Sequence, residues 1–162
     1  MNTLTLCRRA CNDPKIQRLF GGVFPSDMLP RRKLGFSQYV INLDPHTKPG
    51  SHWVAVHFSH NVAYYFDSYG NAPTNGNILS FLEKNADSIM YNRACFQSKM
   101  TNTCGHYYLY FLHRRARGLK LDDLSEKKKK TSVSSLNLFI DGCNQERVAI
   151  KNTPSAKAVE LG

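Results

Sequence analysis

Long apolar runs are missing from this 162-residue sequence, and no stretch approaches the roughly 20 residues needed to cross a bilayer. That argues against a membrane-spanning protein. The first residues, Met1 to Leu6 and then Cys7-Arg8-Arg9, hold no apolar region of useful length, so no secretory signal is expected. Cysteine is scarce and unpatterned: Cys7, Cys11, Cys95, Cys104 and Cys143 make an odd count with no Cys-x-x-Cys pair. This argues against a disulfide framework and a zinc ribbon, and no metal-ligating residues are singled out. It suits a reducing nuclear or cytoplasmic compartment, where a thiol stays free. Helix-turn-helix and zinc-finger patterns are absent as well, and no internal repeat is visible.

What is present is the make-up of a soluble globular domain, 41% hydrophobic and 21% charged, long enough for one respectable core. Acidic residues are few, 12 against 22 basic ones, for a formal net charge of +10. Such an excess attracts DNA, RNA or an acidic partner. The cations are dispersed, however, at Arg31-Arg32-Lys33, Arg114-Arg115-Ala116-Arg117 and Lys127 to Lys130, and none interleaves with aromatics. They read mainly as solvated surface, with non-specific DNA contact as the partner that charge alone allows.

Residues 3–20 read as a helix with Leu4, Ile16 and Leu19 toward the core, interrupted by Pro14 and stopped by Gly21-Gly22. Phe24 to Pro30 reads as an ordered loop bracketed by prolines. Three strands are expected at 38–43, 52–58 and 62–67, the last two forming an antiparallel hairpin around Ser59-His60-Asn61. Residues 77–90 carry a helical period in Ile78, Phe81, Leu82 and Ile89. A second helix is expected over 105–117, with Gly118 as its C-cap and basic residues in its last turns. From about residue 127 the sequence turns lysine- and serine-rich, and little order is expected.

The hairpin carries the chemistry. With Ser59-His60 as its turn, His52 and Asp67 sit directly opposite; with His60-Asn61 they are diagonal neighbours on one face. Only a three-residue loop would separate them. A carboxylate beside an imidazole is the base and orienter half of a nucleophilic site. Cys104 precedes a helix, where the positive dipole end and a nearby imidazolium would lower its thiol pKa. Gln97, seven residues upstream, can return an amide that joins the Cys104 backbone N–H as oxyanion donors. Gly105 leaves room for a substrate backbone. Taken singly, each has a plainer role: a strand-end histidine, a turn-forming aspartate, a buried thiol. The ordered set is the signal.

Gly50-Ser51-His52-Trp53-Val54-Ala55, then Tyr65-Phe66-Asp67-Ser68-Tyr69-Gly70, Gln97, and Thr103-Cys104-Gly105-His106-Tyr107 resemble the adenovirus cysteine protease family, the adenains. SUMO and ubiquitin-like proteases are the wider fold relatives. Phe24-Pro25-Ser26-Asp27-Met28-Leu29-Pro30 is similar to a segment of adenain-like proteases from viruses and large DNA transposons. The resemblance covers about residues 15–120. The order His, acid, Gln, Cys is specific, since papain-like enzymes run Gln, Cys, His, Asn.

The resemblance implies an α+β fold, a central mostly antiparallel sheet flanked by helices with the cysteine at a helix N-terminus. It implies an endopeptidase with His52 as base, Asp67 as orienter, Gln97 as oxyanion donor and Cys104 as nucleophile; a monomer is expected. Trp53 and Gly105 would adjoin the substrate, a protein or peptide of viral or transposon origin. Residues 1–126 form the protease domain in this reading, and 127–162 a basic, poorly ordered or divergent tail. The adenain C-terminal region is not matched, and Cys95 lacks the spacing of the cysteine that bonds the adenain activator peptide. No cofactor is required by the sequence; a DNA or peptide activator is compatible with it but specified by no residue. Two other functions fit the same chain: a SUMO- or ubiquitin-like deconjugase, and an inactive basic module that binds DNA or protein.

Overall fold

The chain is described from a computed structural model over residues 3–96 and 104–119. Gln97 and the tail from residue 127 therefore lie outside the described residues.

Residue period and breakers divide the chain as follows. Helix α1 (Thr3–Asn12) ends before Asp13, which caps the short α2 (Pro14–Gln17) by accepting from the Lys15 and Ile16 N–H groups. Asp13 supplies the acceptor that exposed helix-start donors need, and Pro14 at the first helical position has no donor to lose. Leu6, Ala10 and Ile16 face the core; Leu4, expected there, is 59% exposed. As the second helical residue, two positions before Leu6, it falls off the buried stripe that Leu6 and Ala10 define four residues apart.

Among the described residues five strands form one sheet in sequence order: β1 (Phe20–Pro25), β2 (Gln38–Asn42), β3 (Trp53–Ser59), β4 (Val62–Phe66) and β5 (Ser88–Tyr91). The inner pairings β2–β3 and β3–β4 are antiparallel, and the outer pairings β1–β2 and β4–β5 are parallel. Helix α3 (Gly76–Glu83) lies in the crossover between β4 and β5, and α4 (Cys104–Ala116) packs along β3. The α+β class and the helix-flanked sheet match the expectation.

Two outer strands correct the sequence reading. Gly21-Gly22, expected to stop a helix, lie inside β1, where the pairing slips between Phe20 and Gly22. A Cβ on Gly21 would come within 2.4 Å of the Tyr39 ring, so glycine is what lets that buried ring pack. Phe24 and Pro25, expected in a loop, complete the same strand; as an edge residue Pro25 need not donate to a ladder on both sides. The helix expected over 77–90 ends at Glu83. Lys84 N–H closes on the Leu82 and Ser80 carbonyls, and the Asn85 side chain takes the Phe81 carbonyl at 2.7 Å. Ile89, the last residue in phase, belongs instead to β5.

Alternation along the strands builds a core on each face. Val40, Trp53, Ala55 and Phe66 meet Leu6, Ile16 and the α4 residues Tyr108, Leu109, Phe111 and Leu112. Tyr39, Ile41, Val54, Val56 and Tyr65 meet Ile78, Phe81 and Leu82 of α3. Each such fully buried aliphatic or aromatic side chain contributes roughly 1.5–3 kcal/mol. Gln38, fully buried, donates to the Leu112 carbonyl at 2.8 Å and so fastens α4 to the sheet. Gly118, with φ +76°, caps α4 as expected: its N–H reaches the Arg115 carbonyl.

No helix among the described residues is long and apolar enough to cross a membrane.

Candidate active site

The hairpin turn decides where His52 and Asp67 meet. Ser59 pairs with Val62, leaving His60-Asn61 as a two-residue turn, and both take left-handed φ of 48° and 60°. Positive φ at both central residues defines a type I′ turn, whose twist matches that of the strands it joins. In this register His52 and Asp67 are diagonal neighbours, the second of the three alternatives. They lie just outside the ends of β3 and β4, where the Nε2 of His52 and the Oδ1 of Asp67 are 2.7 Å apart.

The carboxylate is enclosed, with 2% of its side chain exposed, against 14% for the imidazole. Burial alone would raise the Asp67 pKa. Hydrogen bonds from His52, the Tyr69 N–H and the Asn71 side chain, with the His52 charge, outweigh burial and hold it below the usual carboxylate range. Asp67 is thus an ionised acceptor near neutral pH. With Nε2 engaged, Nδ1 is the ring nitrogen left for a second proton transfer; among the described residues nothing bonds to it.

The register also sets His52 against Tyr69, and the two rings stack at 4.6 Å and 29°. Tyr108 of α4 presents its edge to the imidazole at 6.2 Å, and its hydroxyl is 3.0 Å from the Ser68 Oγ. Cys104 is the first residue of α4, one turn nearer the N-terminus than Tyr108. The sheet end that carries the imidazole–carboxylate pair therefore adjoins the positive end of α4. Gly105 is buried in that first turn. Trp53 follows His52 in sequence, packs in the α4-side core and is 7% exposed.

Sequence reasoning missed Tyr69, Tyr108 and Asn92. Tyr69 was accessible in principle, being the position opposite His52 once His60-Asn61 is the turn. Asn92 was not: it reaches Asp67 only because β5 runs parallel beside β4. Among the described residues no cluster of three or more His, Cys, Asp or Glu could hold a metal ion. Cys7, Cys11 and Cys95, among the described residues, form no disulfide with one another.

No protein-family model matches the chain. A candidate thiol protease of Acanthamoeba polyphaga mimivirus is 31% identical over 140 residues, covering 80% of this chain and 43% of that protein. The matched chain thus spans less than half of that relative. Among solved structures, ChlaDub1 from Chlamydia trachomatis superposes with TM-score 0.46 at 18% identity, covering 79% of this chain and 66% of that one. The ASFV protease superposes with TM-score 0.41 at 23% identity, over 52% of this chain and 36% of that one.

Proposed function

We propose that the chain is the catalytic domain of a cysteine endopeptidase with Cys104 as nucleophile, His52 as base, Asp67 as orienter and Gln97 as oxyanion donor. The observation that carries the reading is the enclosed imidazole–carboxylate contact of 2.7 Å beside the end of α4 that begins with Cys104. The sequence likeness to a viral candidate thiol protease supports it.

In this reading the Nδ1 of His52 takes the Cys104 proton, and Asp67 stabilises the imidazolium through Nε2 without itself being protonated. The thiolate attacks the scissile carbonyl carbon. The oxygen that gains charge is met by the Gln97 amide and the Cys104 backbone N–H, donors worth on the order of 3 kcal/mol each in such sites. Collapse breaks the C–N bond, and the imidazolium protonates the departing amine. The remaining thioester is hydrolysed by a water that gives its proton to His52, which restores the thiol and releases the acid. Gly105 gives the substrate backbone room beside the nucleophile, and Trp53, 7% exposed, contributes little to the wall. The substrate class is a viral or transposon precursor protein.

Alkylation by iodoacetamide at pH 6 tests the reading, since an ordinary thiol of pKa near 8.5 is then mostly protonated. Fast labelling of Cys104, lost in Cys104→Ala and slowed at least tenfold in His52→Ala, is the expected result. Slow labelling spread over several cysteines and indifferent to His52→Ala would leave no working pair, and the reading as a non-catalytic basic module would replace it.

A further inference from the structure

Asn92 follows β5 directly and is 4% exposed. Its side-chain amide makes three hydrogen bonds, all to main chain. Oδ1 accepts the Asp67 N–H at 2.9 Å, while Nδ2 donates to the Asp67 carbonyl at 2.6 Å and to the Ala94 carbonyl at 2.9 Å. Both amide donors are used, which is what a buried asparagine needs to avoid a desolvation cost. Two of the three bonds hold one residue from both sides of its Cα. That residue carries the carboxylate on which His52 rests.

The grip has a geometric consequence. With its N–H and carbonyl both held, Asp67 cannot rotate about its backbone, so the direction of its Cα–Cβ bond is set. The Tyr69 N–H then donates to Oδ1 at 2.9 Å, and the same oxygen meets His52 at 2.7 Å. The bond to Ala94 draws the chain after β5 against this point. Two further contacts fasten it there: Phe96 N–H donates to the Ser68 carbonyl at 2.8 Å, and Gly70 lies so close that a Cβ would stand 2.8 Å from the Arg93 oxygen. That chain is the one leading to Gln97.

We infer that Asn92 is a positioning residue that holds Asp67, and through it His52, in register with the nucleophile, and ties the chain after β5 as far as Phe96 to the same point. The inference rests on the protease reading above. Asn92 touches no reacting atom, so its influence passes through the carboxylate.

The test uses the full chain and the rate at which iodoacetamide alkylates Cys104 between pH 5 and 9, with the modified peptide identified by mass spectrometry. Wild type must first label fast at pH 6; if it does not, the protease reading itself fails, whatever Asn92 does. Given fast wild-type labelling, Asn92→Ala is expected to slow the pH 6 rate about 10- to 100-fold, the range that a misplacement on the order of 1 Å produces. Its rate profile should move toward that of an ordinary thiol, a change that loss of stability alone would not cause. Asn92→Asp keeps an acceptor for the Asp67 N–H but lacks both donors, and it should slow as well. In an Asp67→Asn background, Asn92→Ala should add less than threefold, because the two act through one group. A folded Asn92→Ala with a pH 6 rate within threefold of wild type would overturn the inference. So would a full multiplicative loss in the double variant. Unfolding of both Asn92 variants would assign Asn92 a purely structural role and overturn it too.

Discussion

His57 should make the fold acid-sensitive in a window where the carboxylates contribute little. It lies on β3 at 6% exposure, with the Gln38 side chain 3.3 Å from Nδ1 and the Tyr64 ring 6.2 Å away. Burial, then the charges of Arg115 and Lys33, push its pKa down to about 4 from 6.5. A depressed value means that the unfolded chain takes up the proton first. Stability is therefore intact above about pH 6.5, falls as pH drops, and levels off below about 4. A shift of about 2.5 units corresponds to roughly 3 kcal/mol at 1.36 kcal/mol per unit, of which some 2–3 kcal/mol is gone by pH 4.5. Asp13 and Asp67, held below 3.8, lose their contributions only at lower pH and do not confound the window. Urea unfolding at pH 7 and pH 4.5, followed by the fluorescence of the buried single tryptophan, Trp53, measures the difference. His57→Gln cannot take a proton, so its stability should fall by about 2–3 kcal/mol less than that of wild type over the same interval. Equal falls, within about 1 kcal/mol, would refute the reasoning.

Asp67→Asn keeps an oxygen for His52 but removes the charge. Two unit charges about 4 Å apart are worth about 4 kcal/mol at an effective dielectric of 20. With the hydrogen bond retained, a net loss of about 2–4 kcal/mol slows Cys104 alkylation at pH 6 by roughly 30- to 1,000-fold; a change under fivefold would refute the assigned role. Gly70→Ala places a Cβ against the Arg93 and Ala94 backbone at a φ of +78°, and left-handed strain alone costs about 1–2 kcal/mol. Its melting temperature should fall by several degrees and its pH 6 labelling should slow, whereas unchanged melting would contradict the close approach. Asp13→Asn retains the α2 cap and loses the ion pair with His113, whereas Asp13→Ala loses both. Urea denaturation at pH 6 should show the alanine variant about 1 kcal/mol less stable than the asparagine variant, the usual worth of a cap.

Local pattern carried the central hairpin and α4 because both are decided over short distances. Alternating Val54, Val56 and Phe58 against Ala55 and His57 sets the faces of β3, and a two-residue turn leaves few registers. Length and a terminal glycine set α4. The outer strands failed for a related reason. Ile89 is seven residues after Leu82, two helical turns, and also two before Tyr91, one strand repeat. Its apolar side chain satisfies both periods, so only the availability of the β4 edge chooses between them. A parallel edge strand is held by pairing with a partner distant in sequence, and nothing within its own few residues reports that partner.

The candidate site divides along the same line. His52 and Asp67 were legible because one hairpin joins them, and Cys104 because a helix start has its own signature; the resemblance to adenains then joined them with Gln97 into one ordered set. The groups that hold them in place were not legible. Tyr69, Tyr108 and Asn92 reach the pair from the turn after Asp67, α4 and the end of β5, and none is marked by its neighbours in sequence. A reacting group must be of a rare chemical type, so its identity narrows the search. A group that supplies a ring face or a pair of amide donors can be any of several residues, and its position becomes meaningful only when the sheet brings it there. The grip of Asn92 on Asp67 is of that second kind: the parallel pairing of β4 with β5 makes it.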